Sequence, residues 1–149
     1  GTTAGIPVTD SSGNMTVSPT ISNAPIVYDF TATTDRSRNS ATPAAITSTA
    51  AQAFTSKTGR VKVTILCMCY VNAETGNVGV YKSDTSSYTL LYSTNNTATD
   101  GVFINSCGVF SVTPGTSINY QPYFASQSSS STIHITAYDT AKMIVEDVI

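Results

Sequence analysis

An all-β sandwich or jelly roll is the fold class that this sequence predicts, and three observations predict it. The chain carries 25 threonines and 20 serines among 149 residues, and small hydroxylated side chains favour strands and turns over helices. From Gly59 onward, apolar and polar residues alternate in seven segments, the period-two signature of half-buried strands. Turn-forming clusters separate these segments at the short, regular spacing typical of sandwiches and jelly rolls.

The elements follow in order. Through Ala53 the chain is rich in Thr, Ser, Ala and Pro, and reads as an extended N-terminal segment over 1–53 that holds the first strands of the domain. Short strands are expected at 15–17 and 26–30, with a turn at 10–14. The stretch 31–42 lacks periodicity and reads as a surface loop. Threonine and serine at 47–49 interrupt the alanines of 44–54, so an irregular strand is expected there instead of a helix.

Segment 60–71 alternates cleanly, with Val61, Val63, Ile65, Cys67, Cys69 and Val71 on one face. Its other face, Lys62, Thr64, Leu66, Met68 and Tyr70, begins polar and turns apolar, so its second half must be covered on both sides. Further strands are expected at 78–82, 88–93, 101–112, 116–125, 131–138 and 142–149. Phe110 and Val112 share a face with Val102 and Ile104, which places them between two sheets. Gly115 after Pro114 fits the positive-φ position of a type II turn.

Charge and composition narrow the function. The net charge is −2 and the basic residues are scattered, which argues against nucleic acid as a partner. No apolar run approaches the roughly 20 residues that span a bilayer, and no membrane insertion is expected. A chain opening Gly1-Thr2-Thr3 without a charged and apolar leader reads as starting within a longer protein or after processing.

Catalysis finds little support. His134 sits between Ile133 and Ile135, on the opposite strand face, and reads as a surface or interface residue instead of a general base. Glu146 and Asp147 are adjacent, so a strand points them to opposite faces, away from any shared acid-base role. Asp10, Gly13 and Asn14 lack the alternating carboxylates of a calcium loop and read as a turn. Cys67 and Cys69 lie on one face, an awkward separation for a mutual disulfide. With Cys107 they read as reduced, buried small hydrophobes, and no metal, cofactor or enzymatic activity is expected.

Binding residues are easier to find. Tyr88, Tyr92, Asn95, Asn96 and Asp100 flank one loop and supply the aromatic faces and planar amides that suit sugar hydroxyls. The alternative is that Tyr88, Leu90 and Tyr92 pack one sheet face while the asparagines shape a turn.

The segment 108–120, Gly108-Val109-Phe110-Ser111-Val112-Thr113-Pro114-Gly115-Thr116-Ser117-Ile118-Asn119-Tyr120, resembles the strand-turn-strand signature of the tumour-necrosis-factor-like jelly roll shared with complement-type globular heads. Gly59 to Val71 resembles the preceding inner-sheet strand of that fold, and Val78-Gly79-Val80-Tyr81-Lys82 the following outer one, so the resemblance covers 54–149. The low charge and hydroxyl-rich loops are similar to phage versions of this head. The resemblance implies a homotrimer, with strand 116–125 in the same sheet as 60–71. Leu66, Met68 and Tyr70, exposed neighbours without reason in a lone domain, would then meet a partner subunit together with Tyr120 or Tyr123.

The function so implied is that of a non-enzymatic virion structural protein: the C-terminal head of a phage fibre or spike on the virion surface, binding a host-surface glycan or protein receptor. The N-terminal segment would contact other virion proteins, and loops 83–87, 95–100 and 126–130 would carry the receptor site. Alternatives are a capsid decoration (cement) protein, or a carbohydrate-binding or adhesin module of a secreted bacterial protein.

Overall fold

A computed structural model describes residues 5–9, 11–19, 22–136 and 140–149. Asp10 and the expected strand end at Tyr138 lie outside the described residues. Thirteen strands and no helix occur among those described: β1 (Gly5–Thr9), β2 (Met15–Pro19), β3 (Ile26–Asp29), β4 (Arg36–Arg38), β5 (Ala44–Ala45), β6 (Gln52–Thr55), β7 (Arg60–Val71), β8 (Gly76–Lys82), β9 (Ser87–Thr94), β10 (Val102–Ser111), β11 (Ser117–Ser126), β12 (Ile133–Ile135) and β13 (Lys142–Asp147).

β7 organises the first sheet. On one side it pairs with β10, from Arg60↔Ser111 to Cys69↔Val102. On the other it pairs with β13 over Val61–Leu66 and with β12 over Cys69–Val71. β3 continues outward from β13, and β4 from β12. In the second sheet β11 pairs with β8 on one side and with β5 and β6 end to end on the other, while β9 closes the far edge. Counting β3 with β4, β5 with β6 and β12 with β13 as single lines gives eight lines in the orders 1-8-3-6 and 2-7-4-5. That strand order, all antiparallel, is a jelly-roll sandwich.

The core lies where the alternating faces meet. Val61, Val63, Ile65, Cys67, Cys69 and Val71 of β7 are fully buried, and Val78, Val80, Ile118, Tyr120 and Phe124 meet them from the second sheet. Ile104 is buried among them, while Val102, Phe110 and Val112 are partly buried against the same cluster. Phe110 packs its ring 6.5 Å from that of Tyr120. The connection from β10 to β11 crosses between sheets through Thr113-Pro114-Gly115-Thr116, where Thr116 N donates to Thr113 O and Gly115 takes φ +79°, the expected type II turn.

Several expectations need correction. The loop over 31–42 contains β4, whose three residues are too few to show periodicity; β4 is held by pairing to β12 and by Arg36, whose Nη1 donates to Phe30 O at 2.5 Å. The irregular strand over 44–54 is two strands, broken by a turn at Ile46–Thr49 with Ser48 at φ +63°. β11 does not share a sheet with β7, because the turn that follows β10 carries the chain across the sandwich. Tyr120 is therefore a core residue with no accessible surface, closed to any subunit contact. Cys67 and Cys69 are buried as expected, and burial pushes the Cys67 thiol well up and that of Cys69 up to about 12. Cys107, opposite Thr64 on the outward face of β10, is exposed.

One end of the sandwich is tied by the last strand. Glu146 and Asp147 do point apart: Glu146 pairs with Lys62 at 2.5 Å on the outer face, while Asp147 turns to the N-terminal loops. Its carboxylate accepts from Asn23 N at 2.8 Å, Ser56 Oγ at 2.5 Å, Lys57 N at 3.2 Å and Thr58 Oγ1 at 3.2 Å. Partial burial pushes this carboxyl up, but the hydrogen bonds, Ser56 foremost, outweigh it and leave its pKa below the usual value.

Two outcomes follow. Phe110→Ala should lower stability by about 3 kcal/mol, the lower part of the range for aromatic truncation because the ring is only partly buried; urea melts check this. A depressed native pKa means that the Asp147 contribution is present above the unfolded carboxylate value of about 4 and is lost as pH falls through the native one. Asp147→Asn should therefore be less stable than the parent at pH 7, with the difference shrinking on acidification in pH-dependent thermal melts.

Candidate functional site

The sandwich presents two outer sheet faces and two loop ends. On the first sheet, Leu66, Met68 and Tyr70 are half-buried and project outward from β7. β10 adds Phe103 beside Met68 and Val109 beside Lys62, 51% and 50% exposed. Across the strands, Thr64 aligns with Ile144 of β13 and then with Val27 of β3, itself 59% exposed. Tyr70 stacks on His134 with ring centroids 4.6 Å apart and planes 8° from parallel. The ion pairs Lys62–Glu146 at 2.5 Å and Lys142–Asp29 at 2.8 Å lie on the same face. Lys142 holds the Asp29 carboxyl at about 2. Leu66, Met68, Tyr70 and Phe103 form one apolar patch, from which Asn105, Cys107 and the Lys62–Glu146 pair separate Val109, and exposed apolar patches mark interaction surfaces.

The second sheet presents an aromatic cluster. Tyr123 of β11 sits opposite Gly79 of β8 and stacks with Tyr81 at 5.0 Å and with Tyr88 at 6.4 Å between centroids. Gly79 makes the space: a Cβ there would lie 2.1 Å from Thr89 O and 2.7 Å from the Tyr88 ring. The Tyr88 hydroxyl is buried with no hydrogen-bond partner among the described residues, and burial pushes its pKa up to about 12.

The five expected ligand residues do not converge. The pairing of β8 with β9 shifts between Val78 and Gly79, so that Val78 faces Tyr92 and Gly79 faces Leu90. The extra residue, Leu91, is a β-bulge that reverses the alternation. Tyr88 and Leu90 therefore point outward while Leu91 and Tyr92 pack on the core. Asn95, Asn96 and Asp100 lie at the far end of β9, about 20 Å from Tyr88 at the rise of an extended strand. Asn96 serves its own turn: its backbone O accepts from Val71 N at 2.8 Å and its Oδ1 from Ala98 N at 3.0 Å.

Of the three expected binding loops, two share one end of the sandwich and the third lies at the other. Loop 95–100 is tied to the end of β7 through Val71, and loop 126–130 to the β7–β8 turn through Gln127 N on Thr75 O and Ser128 Oγ on Glu74. Loop 83–87 joins the opposite ends of β8 and β9. Sequence reasoning missed Tyr81, although its period-two spacing from Gly79 was the available signal.

Tyr123 faces outward from the second sheet, on the side of the sandwich opposite to Leu66, Met68 and Tyr70. It cannot join them in one contact, because β11 belongs to the other layer.

No family model and no curated protein matches the chain. Among solved structures it is similar to the crystal structure of the infectious bursal disease virus VP2 subviral particle, at 10% identity and a TM-score of 0.38. That similarity covers 95% of this chain and 42% of the VP2 chain, so this chain spans less than half of that one. The jelly-roll assignment rests on the strand order itself.

Gly79→Ala should cost about 2–3 kcal/mol, the upper part of the range for overpacking, because its nearest clash is with backbone. The measurement is a denaturant melt together with the near-ultraviolet tyrosine circular dichroism, which should lose intensity in the variant.

Proposed function

We propose that the chain is a non-enzymatic virion structural protein, the tumour-necrosis-factor-like head of a phage fibre or spike. It assembles as a homotrimer through the outer face of its first sheet and attaches to a host-surface receptor. The observation that carries the proposal is the outer face of the first sheet, where Leu66, Met68, Tyr70 and Phe103 form an apolar patch and Val109 and Val27 are exposed further along. A lone domain gains nothing by exposing such a field, whereas burying it against a second copy recovers about 25 cal/mol for each Å² of apolar surface. In a threefold ring each contact is heterologous, so one part of this face meets a different part on the next copy.

Further support comes from the jelly-roll strand order, a fold class the reading shares, and from the turn at Gly115, although β11 lies in the sheet opposite to the one the 108–120 resemblance implies. β1 and β2 pair only with each other among the described strands, which suits a segment that reaches toward other virion proteins. His134 is engaged in a stack with Tyr70, Glu146 in an ion pair and Asp147 in four hydrogen bonds. These roles support a structural reading of the residues that an enzyme would need.

Multi-angle light scattering of the purified chain at micromolar concentration should give three times the chain mass. Phe103→Glu with Val109→Glu should give a folded monomer with an unchanged circular dichroism spectrum. The trimer should adhere to host cells and block infection by the parent virus. A monomeric parent contradicts the assembly, and a trimer that ignores host surfaces but binds bare capsids makes it a decoration protein.

A further inference from the structure

A cleft of about 520 Å³ opens at the edge of the sandwich, where the β3–β4 connection and β4 of the first sheet face the turn between β5 and β6 of the second. Its size falls within the usual range of small-molecule sites, roughly 300–1,000 Å³. Apart from Ala32, every residue around it carries a hydroxyl, a carboxylate or a guanidinium, and the methyl groups and carbon stems of the same residues leave the surface mixed, polar and apolar in about equal part.

Both walls are fixed before any ligand arrives. Arg36 donates from Nη1 to Phe30 O at 2.5 Å, and its guanidinium carbon sits 5.8 Å from the centroid of the buried Phe30 ring. A guanidinium has five N–H donors in a rigid fork, so this anchorage leaves others to face the cleft. Thr31 is held by its N on Asp29 Oδ1 at 2.9 Å and by its hydroxyl accepting from Ala141 N at 3.0 Å. On the opposite wall, Ile46 N donates to Pro122 O at 3.0 Å and Gln121 Nε2 to Thr49 O at 3.0 Å.

Ser48 is the telling residue. It occupies the third position of the turn closed by Thr49 N on Ile46 O, at φ +63°, where glycine is the unstrained choice. A serine in this position costs stability and places a hydroxyl on the rim of the cleft, and strain retained at a concavity is a mark of function.

We infer that this cleft is a binding site for a neutral saccharide. The hydroxyls of Thr33, Thr34, Thr47 and Ser48 exchange hydrogen bonds with sugar hydroxyls, and Arg36 and Asp35 supply a donor and an acceptor whose charges offset each other. The site rests on the reading of the chain as a receptor-binding head, and it moves the receptor contact from the residues around Tyr88 and Asn95 to the edge between the two sheets. Three copies in one trimer raise a weak single-site affinity through effective concentration.

The test is a titration of the isotopically labelled full chain with glucose, galactose, mannose, N-acetylglucosamine and rhamnose, followed by amide chemical shifts. At least one sugar should shift the amides of 31–37 and 47–48 together, with a dissociation constant of about 1–10 mM, a free energy near −4 kcal/mol or weaker. Thr33→Trp, at an exposed position, should fill the cleft and abolish the shifts without changing the melt. Ser48→Gly should keep or raise the melting temperature and weaken binding severalfold, a split that a purely structural role for Ser48 would not produce. Shifts from none of the sugars, or shifts confined to Tyr81, Tyr88 and Tyr123, overturn the site. If the parent trimer and its Thr33→Trp variant adhere equally to host cells, the cleft is wrong while the receptor-binding reading stands. If the parent does not adhere at all, that reading itself fails.

Discussion

β7 is twelve residues long, apolar along its whole inward face and along the second half of its outward one, and the rest of the molecule is arranged around it. Its inward face is uniformly apolar and fully buried, so a second sheet has to lie over it. Its edges are satisfied by β10 on one side and by β12 and β13 on the other, which makes it the one strand on which the first sheet is threaded. Backbone pairing and core burial are thus complete within a single chain. The outward face from Leu66 to Tyr70 is not, and no element of the described chain lies over it. A second copy of the chain is the cover proposed for it.

The outer surfaces divide the remaining tasks. The first sheet carries the apolar field, the second carries three stacked tyrosines over Gly79, and the polar cleft lies on the edge where the two sheets part. These three surfaces share no residue. At the loop end that holds Asp147, hydrogen bonds from three neighbouring residues and from Asn23 tie the last strand to the chain that enters the sandwich.

How much of this was legible in the sequence depended on the range of the signal. Period-two alternation located β7 to β11 to within a residue or two, because each is long enough to repeat and one face of each is buried. The type II turn at Gly115 was legible because Pro and Gly carry strong local preferences. β4 and β5 were not, since strands of three and two residues show no period and owe their pairing to partners distant in sequence. The site was read least well. Tyr88 and Tyr92 have the spacing of one face, but a single inserted residue at Leu91 sends them to opposite sides. Tyr120 was misplaced because sheet membership depends on which way the chain crosses after Pro114. The cleft at Arg36 and Ser48 draws on loops of two different sheets, and no local pattern joins them.

Cys107 provides the most direct test of whether a second copy covers the first sheet. It lies on the outward row of β10 between Phe103 and Val109, whereas Cys67 and Cys69 are buried with raised thiol pKa values. Since thiolate character and access set the rate of thiol labelling, one thiol per chain should react readily with Ellman's reagent when the protein is dilute. This reaction should slow as protein concentration rises, and Phe103→Glu with Val109→Glu should restore the fast rate at every concentration. A labelling rate that is fast and independent of concentration in the parent protein contradicts a second copy covering the sheet.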